Sequence, residues 1–179
     1  MEFFFSACLL KEFVLSKLNG LCLNLTGWKL NTSSIGNHEI AGGGGIICNH
    51  NGAWVWCFSW SISSATTVTI ELWALRDGLK LCLILNLVVV EVDLDAMLVV
   101  DRVSGPTCTN ITHSSLIMDC RELLPQVKVK HCFRETNQCT DILVRIGTTL
   151  QLDFIICDSS PIKLFYIFFF DSIGVYVLW

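Results

Sequence analysis

Two acidic residues, Glu71 and Asp95, stand at the informative ends of the stretch Thr66 to Asp95, which reads TTVTIELWALRDGLKLCLILNLVVVEVDLD. Its front half carries Leu72, Leu75, Leu79, Cys82 and Leu83 at three- and four-residue steps, the spacing of one apolar helical stripe. Thr66, Thr67 and Thr69 offer hydroxyls to cap such a helix. Glu71 is therefore expected in its first turn, near the positive end of the helix dipole. The back half, Leu87 to Val92, is mostly apolar and β-branched, as in a buried strand reached by a crossover helix. Asp95 then falls where that strand ends, and in open α/β sheets chemistry gathers at the carboxyl ends of strands. The pair could face one another over a sheet edge and act as acid, base or cation ligand. The alternative is a helix-start glutamate and a turn aspartate, each solvated.

The elements that must position this pair belong to a chain of 179 residues, enough for one domain with a sizeable core. Hydrophobic residues make up 53% and the mean hydropathy is +0.58. Asn86 and Asp171 interrupt the longest apolar runs, so none reaches the roughly 18 residues of a spanning helix, and no membrane partner is expected. A net charge of -4 gives no global basic field, so nucleic-acid binding would need a local patch. The ten cysteines are scattered, form no CxxC pair, and several replace aliphatic residues inside apolar runs. Buried thiols without disulfides, in an intracellular compartment, are the expectation. The start, MEFFFSACLL, lacks the basic region of a secretory signal.

In chain order, residues 1–27 form a leader with no clean period. Trp28 to Thr32 reads as a short strand. The four glycines Gly42 to Gly45 precede no Lys-Ser/Thr and no helix, so close backbone approach or a bulged strand entry explains them better than a phosphate loop. Asn51-Gly52 is a hairpin turn, and Ala53 to Trp60 is the returning strand. After Asp95 come a helix to Val103, a helix from His113 to Leu124, a strand from Val127 to Cys132 and a helix from Thr136 to about Leu150. Residues 151–179 are an apolar, aromatic tail that packs on the domain or meets a protein partner.

This β-β-β-α-β-α-α-β-α order resembles the type 1 ribonuclease H fold, and specifically the domains of plant non-LTR retroelement reverse-transcriptase relatives. The matching pieces are Leu30-Asn31-Thr32, Gly36-Asn37, Ala41 to Ile47, Asn49 to Gly52, Glu71 to Leu79, Glu91 to Asp95, Lys130 to Asp141 and Phe170 to Val175. The resemblance implies a five-stranded mixed sheet flanked by helices over residues 28–150. It implies a metal-dependent endonuclease that cleaves the RNA strand of RNA–DNA hybrids with two Mg2+ ions, in the nucleus or cytoplasm. Hard carboxylate oxygens suit that ion. Glu71, Asp95 and Asp141 match the family's second, third and fourth carboxylates, and His131 its loop histidine, which helps a proton or product leave.

The first carboxylate has no match. Where the family reads Asn-Thr-Asp-Gly-Ser/Ala-Ser, this chain reads Asn31-Thr32-Ser33-Ser34. Either Asp-Gly is deleted, or Ser33 occupies the aspartate position with the gap placed later. A two-residue gap keeps the strand's facing, because the side-chain period is two. Cys48-Asn49 and Ala96-Met97 also stand where the family carries Arg-Asp and Ser-Lys. The resemblance therefore implies a hybrid ribonuclease with impaired catalysis. The alternative is an inactive nucleic-acid-binding or protein-interaction module of retroelement origin.

Overall fold

The computed structural model describes residues 27–36, 39–105, 111–125, 127–149 and 153–158. Residues 1–26, most of the apolar tail and the Phe170 to Val175 match lie outside the described residues. Among the described residues, six strands form one mixed sheet in the order β5-β4-β1-β2-β3-β6. They are β1 (Trp28–Gly36), β2 (Ala41–Asn49), β3 (Trp54–Ile62), β4 (Val89–Leu94), β5 (Lys128–His131) and β6 (Ile155–Cys157). The helices are α1 (Thr67–Ile84), α2 (Met97–Ser104), α3 (Ser114–Leu123) and α4 (Gln138–Thr149). β1, β2 and β3 make the antiparallel meander, while β4 joins β1 and β5 joins β4 in parallel. A sixth strand exceeds the expected five: β6, from the apolar tail, pairs antiparallel with β3.

The glycine run sits inside β2, where both faces are covered. A Cβ on Gly42 or Gly44 would meet Thr148 or Val144 of α4, and one on Gly43 would meet Trp60 and Ala74 of α1. Close approach of two helices to one strand is thus the reason for these residues. The bulge lies further along, between Ile47 and Cys48. At the hairpin, Gly52 takes φ +75°, and Asn49 Oδ1 accepts from the Asn51 and Ala53 amides.

Helix α1 is capped by Thr66, whose hydroxyl accepts from the Thr69 amide. It buries more than the expected stripe: Ile70, Ala74 and Leu81 join Leu72, Leu75, Leu79 and Cys82, whereas Leu83 is exposed. The wider buried arc reflects two neighbours, since α1 lies on β1 and β2 and also carries α3 on its side. Fully burying each such leucine is worth about 1.5–3 kcal/mol. A second, smaller apolar cluster of Ile46, Cys48, Cys57, Cys139 and Leu143 forms between the sheet and α4.

Candidate functional site

β1 runs further than its apolar start indicates, through Asn31-Thr32-Ser33-Ser34 to Gly36, with Thr32, Ser33 and Ser34 buried. Buried polar groups need partners; for Ser33 and Ser34 these are acidic residues, while the Thr32 hydroxyl is buried without one. Ser34 Oγ donates to Glu71 Oε1 at 2.7 Å. Ser33 Oγ donates to Asp95 Oδ2 at 3.3 Å. The topology sets up both contacts. Parallel pairing of Thr32 with Leu94 leaves Ser33 beside Asp95, one position on, and the next side chain turns to α1.

Glu71 is 2% exposed, which excludes the solvated alternative. It lies just beyond the first turn of α1 rather than inside it, so the dipole argument loses its basis. Its Oε2 is buried without a hydrogen-bond partner. Burial, followed by the nearby charge of Asp95, pushes its carboxyl up to about 8, against the opposing bond from Ser34. A carboxyl this far out of water and beside another acid is stable only when protonated or matched by a cation.

Asp141 starts α4 in different surroundings. Arg134 donates to its Oδ1 through both Nε and Nη2, and Arg145, one helical turn on, donates to Oδ2 at 2.7 Å. Partial burial would raise this carboxyl, but the bonds and charges of Arg145 and Arg134 outweigh it and hold it below its ordinary value. The bond to Asp141 raises the Arg134 guanidinium against its partial burial, and the charges of Asp95 and Glu71 add to that of Asp141 in the same direction. Asn137, in the connection ahead of α4, donates from Nδ2 to the Thr32 carbonyl at 2.8 Å and fixes this end of α4 to β1.

His131 closes β5 opposite Leu94, and its ring meets Phe133 edge-on at 5.5 Å. Asp93, next to the site on β4, is held by Lys29 at 2.7 Å. The structure therefore gathers Glu71 and Asp95 around the two serines, while Asp141 is held by Arg134 and Arg145. It seats His131 on the adjoining strand end. Among the described residues, no group of three or more His, Cys, Asp or Glu side chains is placed to hold a metal ion. Both Asp141 oxygens are taken by arginines and the β1 ligands are neutral hydroxyls, so the residues as arranged do not fit a two-magnesium centre.

Sequence reasoning assigned no role to Arg134, Arg145 or Asn137. The i,i+4 spacing of Asp141 and Arg145 was a readable signal for one ion pair. The contacts of Arg134 and Asn137 depend on how the connection from β5 to α4 folds back, which no spacing reports.

Residues 31–147 match the family described as reverse transcriptase-like. The chain is 30% identical over 141 residues to the Arabidopsis thaliana protein named "Putative ribonuclease H protein", covering 75% of this chain and 23% of that one. It thus spans about a quarter of the length of that relative. Among solved structures, RNase H1 of the archaeon Halobacterium salinarum superposes with a TM-score of 0.63 at 22% identity, over 68% of this chain and 97% of that one. LC11-RNase H1, isolated from compost and crystallised with an RNA/DNA hybrid, gives 0.63 at 23% identity, over 69% and 97%. The sheet order, the helices on its two faces and the match across 31–147 together make this chain a member of the reverse transcriptase-like family with a ribonuclease H-like fold.

Proposed function

We propose that this chain is a nucleic-acid-binding domain of retroelement origin that recognises RNA–DNA hybrids and cleaves them weakly or not at all. Residues 28–150 form the binding domain, extended by β6 from the tail, which pairs with β3; residues 1–27 are a leader, and the rest of the apolar tail is a contact for a protein partner inside the cell. Glu71, Asp95, Asp141 and His131 are the residues aligned with the family's hydrolytic centre. One observation carries the reading of weak cleavage: two neutral hydroxyls, Ser33 and Ser34, contact Asp95 and Glu71 at the place where the resemblance puts a bridging aspartate. A hydroxyl supplies no charge to a divalent cation, and Asp141 is already neutralised by Arg134 and Arg145.

A fluorescence-anisotropy titration with a labelled hybrid at two salt concentrations tests binding, and a gel assay with and without Mg2+ tests cleavage. Binding should weaken steeply with salt, as counterion release requires. Cleavage should stay at least about 10- to 100-fold below a ribonuclease H1 control, the loss typical of a damaged metal site. Absence of binding at low salt would sink the partner assignment. Strong magnesium-dependent cleavage would sink the weak-activity reading and mean that another group, for example Asp93, had taken over the ligand role.

A further inference from the structure

The cysteines near the β3 edge are not scattered in space. Cys57 of β3 and Cys157 of β6 are 100 positions apart in sequence (157 − 57) yet are direct cross-strand partners in the antiparallel register. Directly opposed residues in such a pair have Cα atoms about 4.5 or 5.5 Å apart, and both spacings lie inside the range a disulfide accepts. The register is fixed by more than this pair. Phe58 opposes Ile156 and Ser59 opposes Ile155, and the Phe154 ring stacks on Phe58 at 5.9 Å and 9° between planes. The Cys57 thiol is fully buried, while Cys157 is part exposed at the sheet edge.

We propose that Cys57 and Cys157 form a reversible redox pair, with Cys157 as the thiol that reacts with small disulfides of the glutathione type and Cys57 as the thiol that resolves the product. The two thiols face each other across this register, near enough to shift one another's titration. Contact with Cys57 lowers the Cys157 thiol against its partial burial, and its exposure at the sheet edge makes it the accessible thiol of the two. Cys57 is pushed up by the contact with Cys157 and by burial, so it does not react first.

The exchange balances as two displacements. Cys157 thiolate attacks one sulfur of the small disulfide, forming a mixed disulfide and expelling one small thiolate. The Cys57 sulfur then attacks Cys157 Sγ, gives its proton to the departing small thiolate, and closes the Cys57–Cys157 bond. Two electrons pass from the cysteine pair to the small disulfide, which leaves as two thiols. The product fastens β6, and whatever follows it in the chain, to the edge of the sheet. Both cysteines stay thiols while the surroundings are reducing.

The test incubates the full chain with oxidised glutathione, blocks remaining thiols with N-ethylmaleimide, and maps linked peptides by mass spectrometry. A peptide joining Cys57 to Cys157 is expected, cleared by dithiothreitol, with the melting temperature of the oxidised protein raised by about 5–10 °C. Cys157→Ser should remove the link and that shift. Cys57→Ala should leave Cys157 as a stable glutathione adduct, the outcome that identifies Cys157 as the attacking thiol. Circular dichroism checks that each variant folds. If Cys57→Ala does not fold, the linkage map and melting shift of the unaltered chain decide alone. Oxidation that joins Cys57 or Cys157 to Cys48 or Cys139 instead would overturn the assignment. So would a chain that takes up glutathione at Cys157 and never resolves it.

Discussion

Glu71 and Asp141 are both acids near the start of a helix, on α1 and α4 at opposite faces of one sheet, and their surroundings drive them in opposite directions. Glu71 has burial, a neighbouring acid and one serine hydroxyl, and its carboxyl is raised to about 8. Asp141 has two arginines and is lowered. Helix position therefore decides little at this site. What decides is whether a cation reaches the carboxylate, and on the Glu71 side none of the described ion pairs does. The fold has kept a negative half that calls for positive charge and has satisfied the other half from its own sequence.

The largest effect that can break this comparison is the pH dependence of stability. Glu71 binds a proton more tightly folded than unfolded, so its contribution is full below about 4.5. It falls as pH rises towards 8 and is flat above that. The total is on the order of a few kcal/mol. Urea denaturation at pH 5 and pH 9 should show that loss, and Glu71→Gln, which is neutral throughout, should remove most of it. An unchanged slope in the variant would mean that Glu71 does not set the pH dependence.

Next in size is restoration of charge. Inserting Asp-Gly between Thr32 and Ser33 should raise magnesium-dependent cleavage of hybrid by at least about 10- to 100-fold. The gain should disappear again on Asp95→Asn. The inserted carboxylate would stand beside Asp95 at the point where β1 now offers only hydroxyls. A chain that gains hybrid affinity and no cleavage would show that Cys48 and Ala96-Met97, or the arginines on Asp141, limit the site.

The scaffold was more legible in the sequence than the site. The period of 3.6 in Leu72 to Cys82 reports directly on burial and the β-branched run before Glu91 on strand, and α1 and β4 follow them within a few residues, although Val88 just ahead of β4 is exposed rather than buried. The extension of β1 through Ser33 and Ser34 was not readable, because its polar side chains are buried by partners distant in sequence, Glu71 and Asp95. β6 was hidden for another reason. Its composition shows only an apolar segment, and the register of Cys157 with Cys57 is a tertiary fact. Arg134 on Asp141 belongs to the same class: its type was visible, its target was not.

A smaller effect separates the two faces of the sheet. A Cβ at Gly44 would sit 2.8 Å from the Phe58 carbonyl and 3.1 Å from Val144 on α4. Gly44→Ala should therefore cost about 1–3 kcal/mol by overpacking and shift α4 with Asp141. Carboxyl titration by NMR should then move for Asp141 and stay for Glu71. Movement of Glu71 instead would place the strain on the α1 face.

The smallest effect concerns the arginines themselves. Arg134 and Arg145 have side chains 55% and 62% exposed, so water and salt screen their attraction for Asp141. Exposed pairs of this kind contribute roughly 0.2–1 kcal/mol each. Arg134→Gln should cost that little in stability, and less at high salt. Its sign with pH is opposite to that of Glu71. A lowered carboxyl stabilises above its unfolded value and loses that contribution as pH falls through the folded one, so the deficit of the variant should shrink in acid. The same substitution frees Asp141 Oδ1 from both nitrogens that hold it. Weak magnesium binding, followed as a chemical-shift change at Asp141 and Asp95, should then appear in Arg134→Gln and be weaker in the unaltered chain. Equal magnesium response in both proteins would show that the guanidinium does not compete for this carboxylate, and the contrast between the two acids would rest on burial alone.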